Sequence, residues 1–251
     1  MEFDEIGYWS EVKLSILDEY AKPYNTILHS KNLKTVYIDA FAGAGHHIAR
    51  NSGKKVKGSP VRALEVQPPF DFLHFVDMDN SRADELKRLS SDHGNVRVYQ
   101  GDANQILPQK VFPEVQYEQY RRGLCILDPY GLHLDWALIN AAGKSKSIEI
   151  FLNFPVMDMN RNALRHEHEK VGSTQKERMT RFWGDDSWYE DAYSRQNNLF
   201  GYPEKVSNEQ VVAAFQKRLK EVAGFKSVPD PIPMRNSTGA TVYYLFFAAH
   251  K

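Results

Sequence analysis

The stretch Thr35 to Gly45, TVYIDAFAGAG, constrains the fold of this chain more than any other. Val36, Tyr37 and Ile38 form an apolar run of β-branched and aromatic residues, which predicts a buried strand. The run stops at Asp39 and enters a turn holding Phe41, Gly43 and Gly45. The glycines permit positive φ and let a ligand approach the backbone closely. A strand that runs into a glycine-rich turn is how parallel α/β sheets hold nucleotide-like cofactors.

What flanks this stretch keeps to the same architecture. Before it, residues 8–29 carry Val12, Ile16, Leu17, Tyr20, Tyr24, Ile27 and Leu28 at helical spacing, with Pro23 expected to kink or divide the helix. After it, HHIARNSGKKVKGSP reads as a polar loop. Its Lys54, Lys55 and Lys57 suit either a solvated loop or a phosphate contact. His46 and His47 have no third ligand nearby, so no metal site is expected. Ser59 and Pro60 then open a short helix, VRALEV, with serine as the cap.

Three more strands end on acids. FDFLHFVDMD predicts a strand from Phe72 to Val76, followed by Asp77, Met78 and Asp79, with Asn80 or Ser81 capping the next helix. Asp79 is expected to serve that turn or helix N-terminus. NVRVY leads to GDAN, where Asp102 can accept from an exocyclic amine or cap the turn, and Ala103 can offer its N–H. LCIL ends at Asp128-Pro129-Tyr130-Gly131, with Cys125 expected as a packed core thiol. KSIEIFLNFP is a fifth strand ending at Asn153. In a parallel sheet such strand ends share one rim.

From residue 156 to about 222 the chain turns helical and polar, with Arg161, Arg165, His166 and His168 and then Trp183, Trp188, Tyr189 and Tyr193. The two histidines stand two apart, on different helix faces, and cannot share a metal. The aromatics predict a small core. SNEQVVAAFQKRLKEVAG is an amphipathic helix. FKSVPDPIPMRN and a turn at Ser237 to Gly239 precede a last apolar strand, TVYYLFFAA, with FKSV and PMRN bordering a hairpin. The expectation is one α/β domain over residues 1–251, with a helical insertion over 156–205.

Composition excludes several classes. The 251 residues balance 32 Lys and Arg against 32 Asp and Glu, so any contact with nucleic acid must come from a local basic patch. One cysteine allows neither an internal disulfide nor a thiolate zinc cluster. No apolar run reaches membrane-span length and no signal peptide opens the chain, which predicts a cytoplasmic protein.

D-x-F-x-G-x-G resembles the first motif of S-adenosylmethionine (SAM) dependent methyltransferases. SAM offers ribose hydroxyls, an adenine amine and an α-ammonium as donors. Asp77 is expected on the ribose, Asp102 and Ala103 on the adenine, with Asp39, Phe41, Gly43, Gly45 and Met78 completing the cofactor set. A nicotinamide dinucleotide fits less well. Ile48 stands at the third glycine position, Asp77 lies 32 residues past Gly45, and an acidic rim would repel a pyrophosphate. Asp128-Pro129-Tyr130 resembles the D/N-P-P-Y motif of amino-group methyltransferases, in which the carboxylate and a proline carbonyl accept from the target NH₂ and an aromatic ring stacks on the base. Tyr130 replaces the second proline here, and Gly131 stands where the aromatic should be. D-P-Y-G is closer to the D-P-F-G of tRNA guanine-N2 dimethyltransferases.

The whole chain resembles the three-Cys-motif partner (TcmP) family. YWSEVKLSILDEY, YIDAFAGAG, GSPVRAL, FVDMD, GDAN, ILDPYGL, FLNFP…MNR, FWGDD-W and YYLFFAAHK carry the likeness. It implies a Rossmann-like class I methyltransferase sheet, mostly parallel with an antiparallel last strand. It also implies a partner, a three-Cys-motif protein that resembles radical-SAM enzymes. The reaction expected is methyl transfer to an exocyclic amine of a nucleic-acid base, with Asp128, Pro129 and Tyr130 as catalytic residues and Asn153 and Arg161 on the substrate. Two alternatives stay open. One is a small-molecule or modified-nucleotide substrate; the other is a SAM-binding module that serves the three-Cys partner without turnover.

Overall fold

The computed structural model describes residues 4–165, 171–197, 203–236 and 238–250. His166, His168 and Ser237, singled out above, lie outside them. Two compact units are present, Met1–Leu127 with Ser145–Glu149, and Asp128–Lys144 with Ile150–Lys251.

The first unit runs β1 (Glu5–Ile6), α1 (Tyr8–His29), β2 (Lys34–Asp39), β3 (His46–Ala49), β4 (Lys55–Lys57), α2 (Ser59–Glu65), β5 (Phe72–Asp77), α3 (Asn80–Leu89), β6 (Val96–Gln100), α4 (Ala103–Ile106) and β7 (Arg121–Leu127). β2 pairs in parallel with β7 on one side and β5 on the other, and β5 pairs in parallel with β6. The strands form because their residues are apolar on both faces, as a sheet covered on both sides requires. Val36, Tyr37, Ile38, Phe75, Val76, Leu124 and Cys125 are all buried. Burial also pushes the Cys125 thiol pKa well above its usual value, so it is an inert core group.

Three local expectations are corrected. α1 is one continuous helix with Pro23 inside it, not two; its buried side chains, Leu14, Leu17, Ala21 and Tyr24, hold it across the proline. HHIARNSGKKVKGSP is a hairpin, not a loop. His46 pairs with Lys57 and Ile48 with Lys55, and β1 adds in parallel alongside β3. Finally, α2 is capped by Gly58 rather than Ser59, and α3 by Asp79, whose carboxylate accepts from the Arg82 N–H at 3.0 Å. The expectation that Asp79 serves the helix start thus holds.

The chain continues, in the second unit except for Ser145–Glu149, with α5 (Trp136–Ser145), β8 (Ile148–Phe154), α6 (Val156–Asn162), α7 (Ser173–Trp183), α8 (Trp188–Ala192), β9 (Tyr193–Asn197), β10 (Pro203–Lys205), α9 (Asn208–Glu221), β11 (Ile232–Arg235) and β12 (Thr241–Ala248). β12 runs antiparallel to β8 and to β11. Ser227 bridges Ala249, so FKSV and PMRN both border the last strand as expected. The aromatics do form a core: Phe215 packs against Phe154 at 4.7 Å, Trp183 at 5.3 Å, Phe246 at 5.5 Å and Phe182 at 5.7 Å between ring centroids. Each such ring contributes on the order of 1.5–3 kcal/mol by leaving water. α9 carries a full capping box between Ser207 and Gln210.

The main sheet holds seven strands in the order β11-β12-β8-β7-β2-β5-β6. Among the described residues, no helix is long and apolar enough to cross a membrane.

Candidate functional site

The carboxyl ends of β2 and β5 and the start of α4 after β6 carry the predicted acids. Asp39 is 1% exposed and pairs in register with Phe75. One of its oxygens accepts from the Phe41 N–H at 3.3 Å, and the other lies 3.5 Å from the Tyr37 hydroxyl. Burial first, and then the Asp39 charge, push the Tyr37 hydroxyl well above its usual pKa, so it stays a donor.

Asp77 is the hub of this edge. It is 7% exposed, and its two oxygens accept from two different amides: Gly43 N–H at 2.8 Å and Asp79 N–H at 2.9 Å. Its backbone carbonyl accepts from Gly101 N–H at 2.9 Å. The glycine turn, the β5 end and the β6 end are therefore tied through one residue. A carboxylate has about four lone-pair positions, so two acceptor sites remain on Asp77 for a ligand. Gly43 has φ +65° and Gly45 φ +79°, the left-handed region that the turn requires. A Cβ on Gly45 would stand 2.8 Å from a Leu89 methyl, so this glycine also lets α3 pack close.

Asp102 caps α4, accepting from the Asn104 N–H at 2.9 Å, and it remains half-buried. The capping role is thus realised, through one of its two oxygens. Ala103 is buried, while Met78 is 65% exposed. The structure brings the predicted cofactor residues of this unit together; the Asp77 tie is what sequence reasoning missed, because its donor is 34 residues away.

In the second unit Asp128 follows directly on β7. Its Oδ1 accepts from the Asn153 amide at 2.8 Å, so these two predicted residues are partners. The other amide atom, Asn153 Oδ1, is buried and accepts no hydrogen bond. Pro129 is buried and Tyr130 is 66% exposed. Gly131 has φ +58°, and a Cβ there would lie 2.6 Å from Asp158 Oδ2 on α6. Asp158 is held by Asn162 at 2.8 Å. Arg161 is exposed on α6. Two further residues come to this place without a sequence signal. One is Asp158. The other is Tyr243 on β12, whose hydroxyl pKa is raised by burial and then by the Asp128 charge.

No family model and no curated protein matches the chain. Solved structures do resemble it. Protein LPL1258 from Legionella pneumophila str. Philadelphia 1, of family DUF519, is 14% identical over 93% of this chain and 84% of its own, with a TM-score of 0.55. The methyltransferase domain of bacterial CtHen1 is 14% identical over 94% and 99%, with a TM-score of 0.45. Magnesium protoporphyrin IX methyltransferase ChlM from Synechocystis PCC 6803, solved with SAM bound, is 11% identical over 92% and 79%, with a TM-score of 0.39. The likeness to LPL1258 is one of fold. The chain has a Rossmann-like α/β fold, a mostly parallel seven-stranded sheet whose last strand is inserted antiparallel beside β8.

Proposed function

We propose that the protein is a SAM-dependent methyltransferase that acts on an exocyclic amine of a nucleic-acid base, and that it belongs to the three-Cys-motif partner family. The donor set suits SAM. Asp39, Asp77 and Asp102 are acceptors for a ligand with hydroxyl, amine and ammonium donors, and the turn at Gly43 and Gly45 gives the backbone room. Asp77 would hold the ribose through its two remaining acceptor sites. Bound there, SAM supplies a methyl group already activated on a sulfonium. The protein's own task is then to hold and deprotonate the acceptor.

One observation carries the amine assignment: an acceptor carboxylate fixed by an amide, beside an exposed aromatic ring. Asn153 donates to Asp128 Oδ1 at 2.8 Å and so fixes the carboxylate that would accept from a substrate N–H. Tyr130, 66% exposed, offers a face on which a base can stack. Asp128 accepts from the amine, keeps its lone pair directed outward, and takes the proton released as the new N–C bond forms. Preorganised acceptors of this kind contribute on the order of 10²–10³ in rate.

The test is calorimetry with SAM, followed by transfer of labelled methyl into total RNA or DNA. The wild-type protein is expected to bind SAM and to label one of the pools. Asp128→Ala should keep the cofactor affinity and lose transfer by about a hundredfold or more. SAM binding without transfer to any pool, together with co-purification of a three-Cys-motif protein, would replace the enzyme by a binding module.

A further inference from the structure

The β3–β4 hairpin is a one-sidedly charged surface. Between His46 and Pro60 it carries Arg50, Lys54, Lys55 and Lys57 and no carboxylate. All four cations are exposed. Beside it lies an open cleft of about 600 Å³, lined by Lys22, Lys55, Lys57 and Arg62 together with Asp18 and Glu65. Arg62 is aimed by its neighbours: Nε donates to the Lys57 carbonyl at 2.8 Å, and the guanidinium pairs with Asp18.

We infer that this hairpin and cleft bind the phosphodiester backbone of a nucleic-acid strand. The carboxylates present do not block this. Lys57 pairs with Glu65 at 2.6 Å, both about half exposed, and Arg50 with Glu5 at 3.7 Å, both about two-thirds exposed. Exposed pairs of this kind are worth about 0–1 kcal/mol, so a phosphate can displace the carboxylate at little cost. The same carboxylates weaken the site for a single anion. They favour a ligand that meets several cations at once and releases a counterion at each contact. Spacing fits a strand. Lys55 and Lys57 stand two residues apart on one strand face, about 7 Å, so that both can meet one backbone at once. The positive field also lowers the His46 pKa, after burial, through Lys55. The hairpin returns to the cofactor turn, since Gly58 N–H donates to Gly45 O at 2.8 Å. The bound strand is the substrate only if the methyltransferase assignment above holds.

The experiment is fluorescence anisotropy of short labelled strands with the full chain, against a salt series. Single-stranded RNA, single-stranded DNA and duplex DNA are the three arms, and they identify the source of the backbone. Wild type is expected to bind at least one arm, with affinity falling steeply as salt rises. The double variant Lys54→Gln/Lys55→Gln should lose tenfold or more in affinity at low salt. Its log–log salt slope should shrink by about 1.4 for a single strand, or about 1.8 for duplex, two contacts being removed. Neither residue belongs to the cofactor set, so SAM affinity should stay within twofold. No binding by wild type in any arm, or equal binding by the variant, overturns the proposal. Intact SAM binding in either case leaves the methyltransferase assignment standing and places the failure here.

Discussion

Replacing Asp77 by asparagine separates the two tasks assigned to this carboxylate. Gly43 N–H and Asp79 N–H point at opposite oxygens, 2.8 and 2.9 Å away, and the side chain is 7% exposed. An amide keeps the shape but offers only one oxygen. Whichever way it turns, its NH₂ faces one backbone N–H, donor against donor. One hydrogen bond to a charged group is lost, about 1.5–3 kcal/mol, and a buried donor is left unsatisfied. Asp77→Asn should therefore lower the free energy of unfolding by about 2–4 kcal/mol, and Asp77→Ala by more, since both amides are orphaned. Urea unfolding reads this directly. Calorimetry with SAM, far below the unfolding transition, reads the second task; loss of the ionised acceptor for ribose should cost about tenfold in affinity or more. Stability within 0.5 kcal/mol of wild type would refute the structural tie. Unchanged SAM affinity in a destabilised variant would refute the ribose role and leave the tie intact.

Two other outcomes follow from side chains already placed. His74 is buried against Tyr99, ring on ring, and burial lowers its pKa from 6.5 to about 4. Between those values the unfolded chain binds more protons, so stability rises with pH. The contribution is complete above about pH 6.5 and about 3 kcal/mol of it is gone by about pH 4. His74→Phe should remove that part of the pH slope in urea titrations, and an unchanged slope would exclude the assignment. Gly131→Ala should destabilise by about 2–4 kcal/mol, part from the left-handed backbone and part from the clash with Asp158. Adding Asp158→Ala should return only the clash, a coupling that a double-mutant cycle of unfolding energies would show absent if the two residues did not touch.

β2, β5 and β7 were legible because each is a short apolar run that stops at or just before an acid. Asp39, Asp77 and Asp128 could be named for that reason. What each acid touches was not legible, since those contacts join residues far apart in the chain: Asp77 to Gly43, Asp128 to Asn153, Gly131 to Asp158. The β3–β4 hairpin hid behind its composition. HHIA and KVK are too short and too polar to show alternation, and the pairing between them, not their propensity, makes them strands. Of the two outcomes expected at Pro23, division does not occur, because packing along α1 outweighs one missing amide. Tyr243 looked like one more apolar position of the last strand; only the fold sets its hydroxyl within the field of Asp128.

The contact of Gly45 with Gly58 reaches beyond the two residues that make it. A Cβ on Gly58 would stand 3.0 Å from the Gly45 oxygen, so the chain departs and comes back through a pinch that a larger residue would crowd. The pinch closes the excursion from His46 to Lys57 at its neck, and β1 holds it along β3. Because the closing step is already fixed at the neck, lengthening or exchanging the excursion costs the fold little; loop entropy grows only with the logarithm of length. Exchanging the residues between His46 and Lys57 should therefore rewrite the charge of this surface while the strand and helix on either side of it stay where they are.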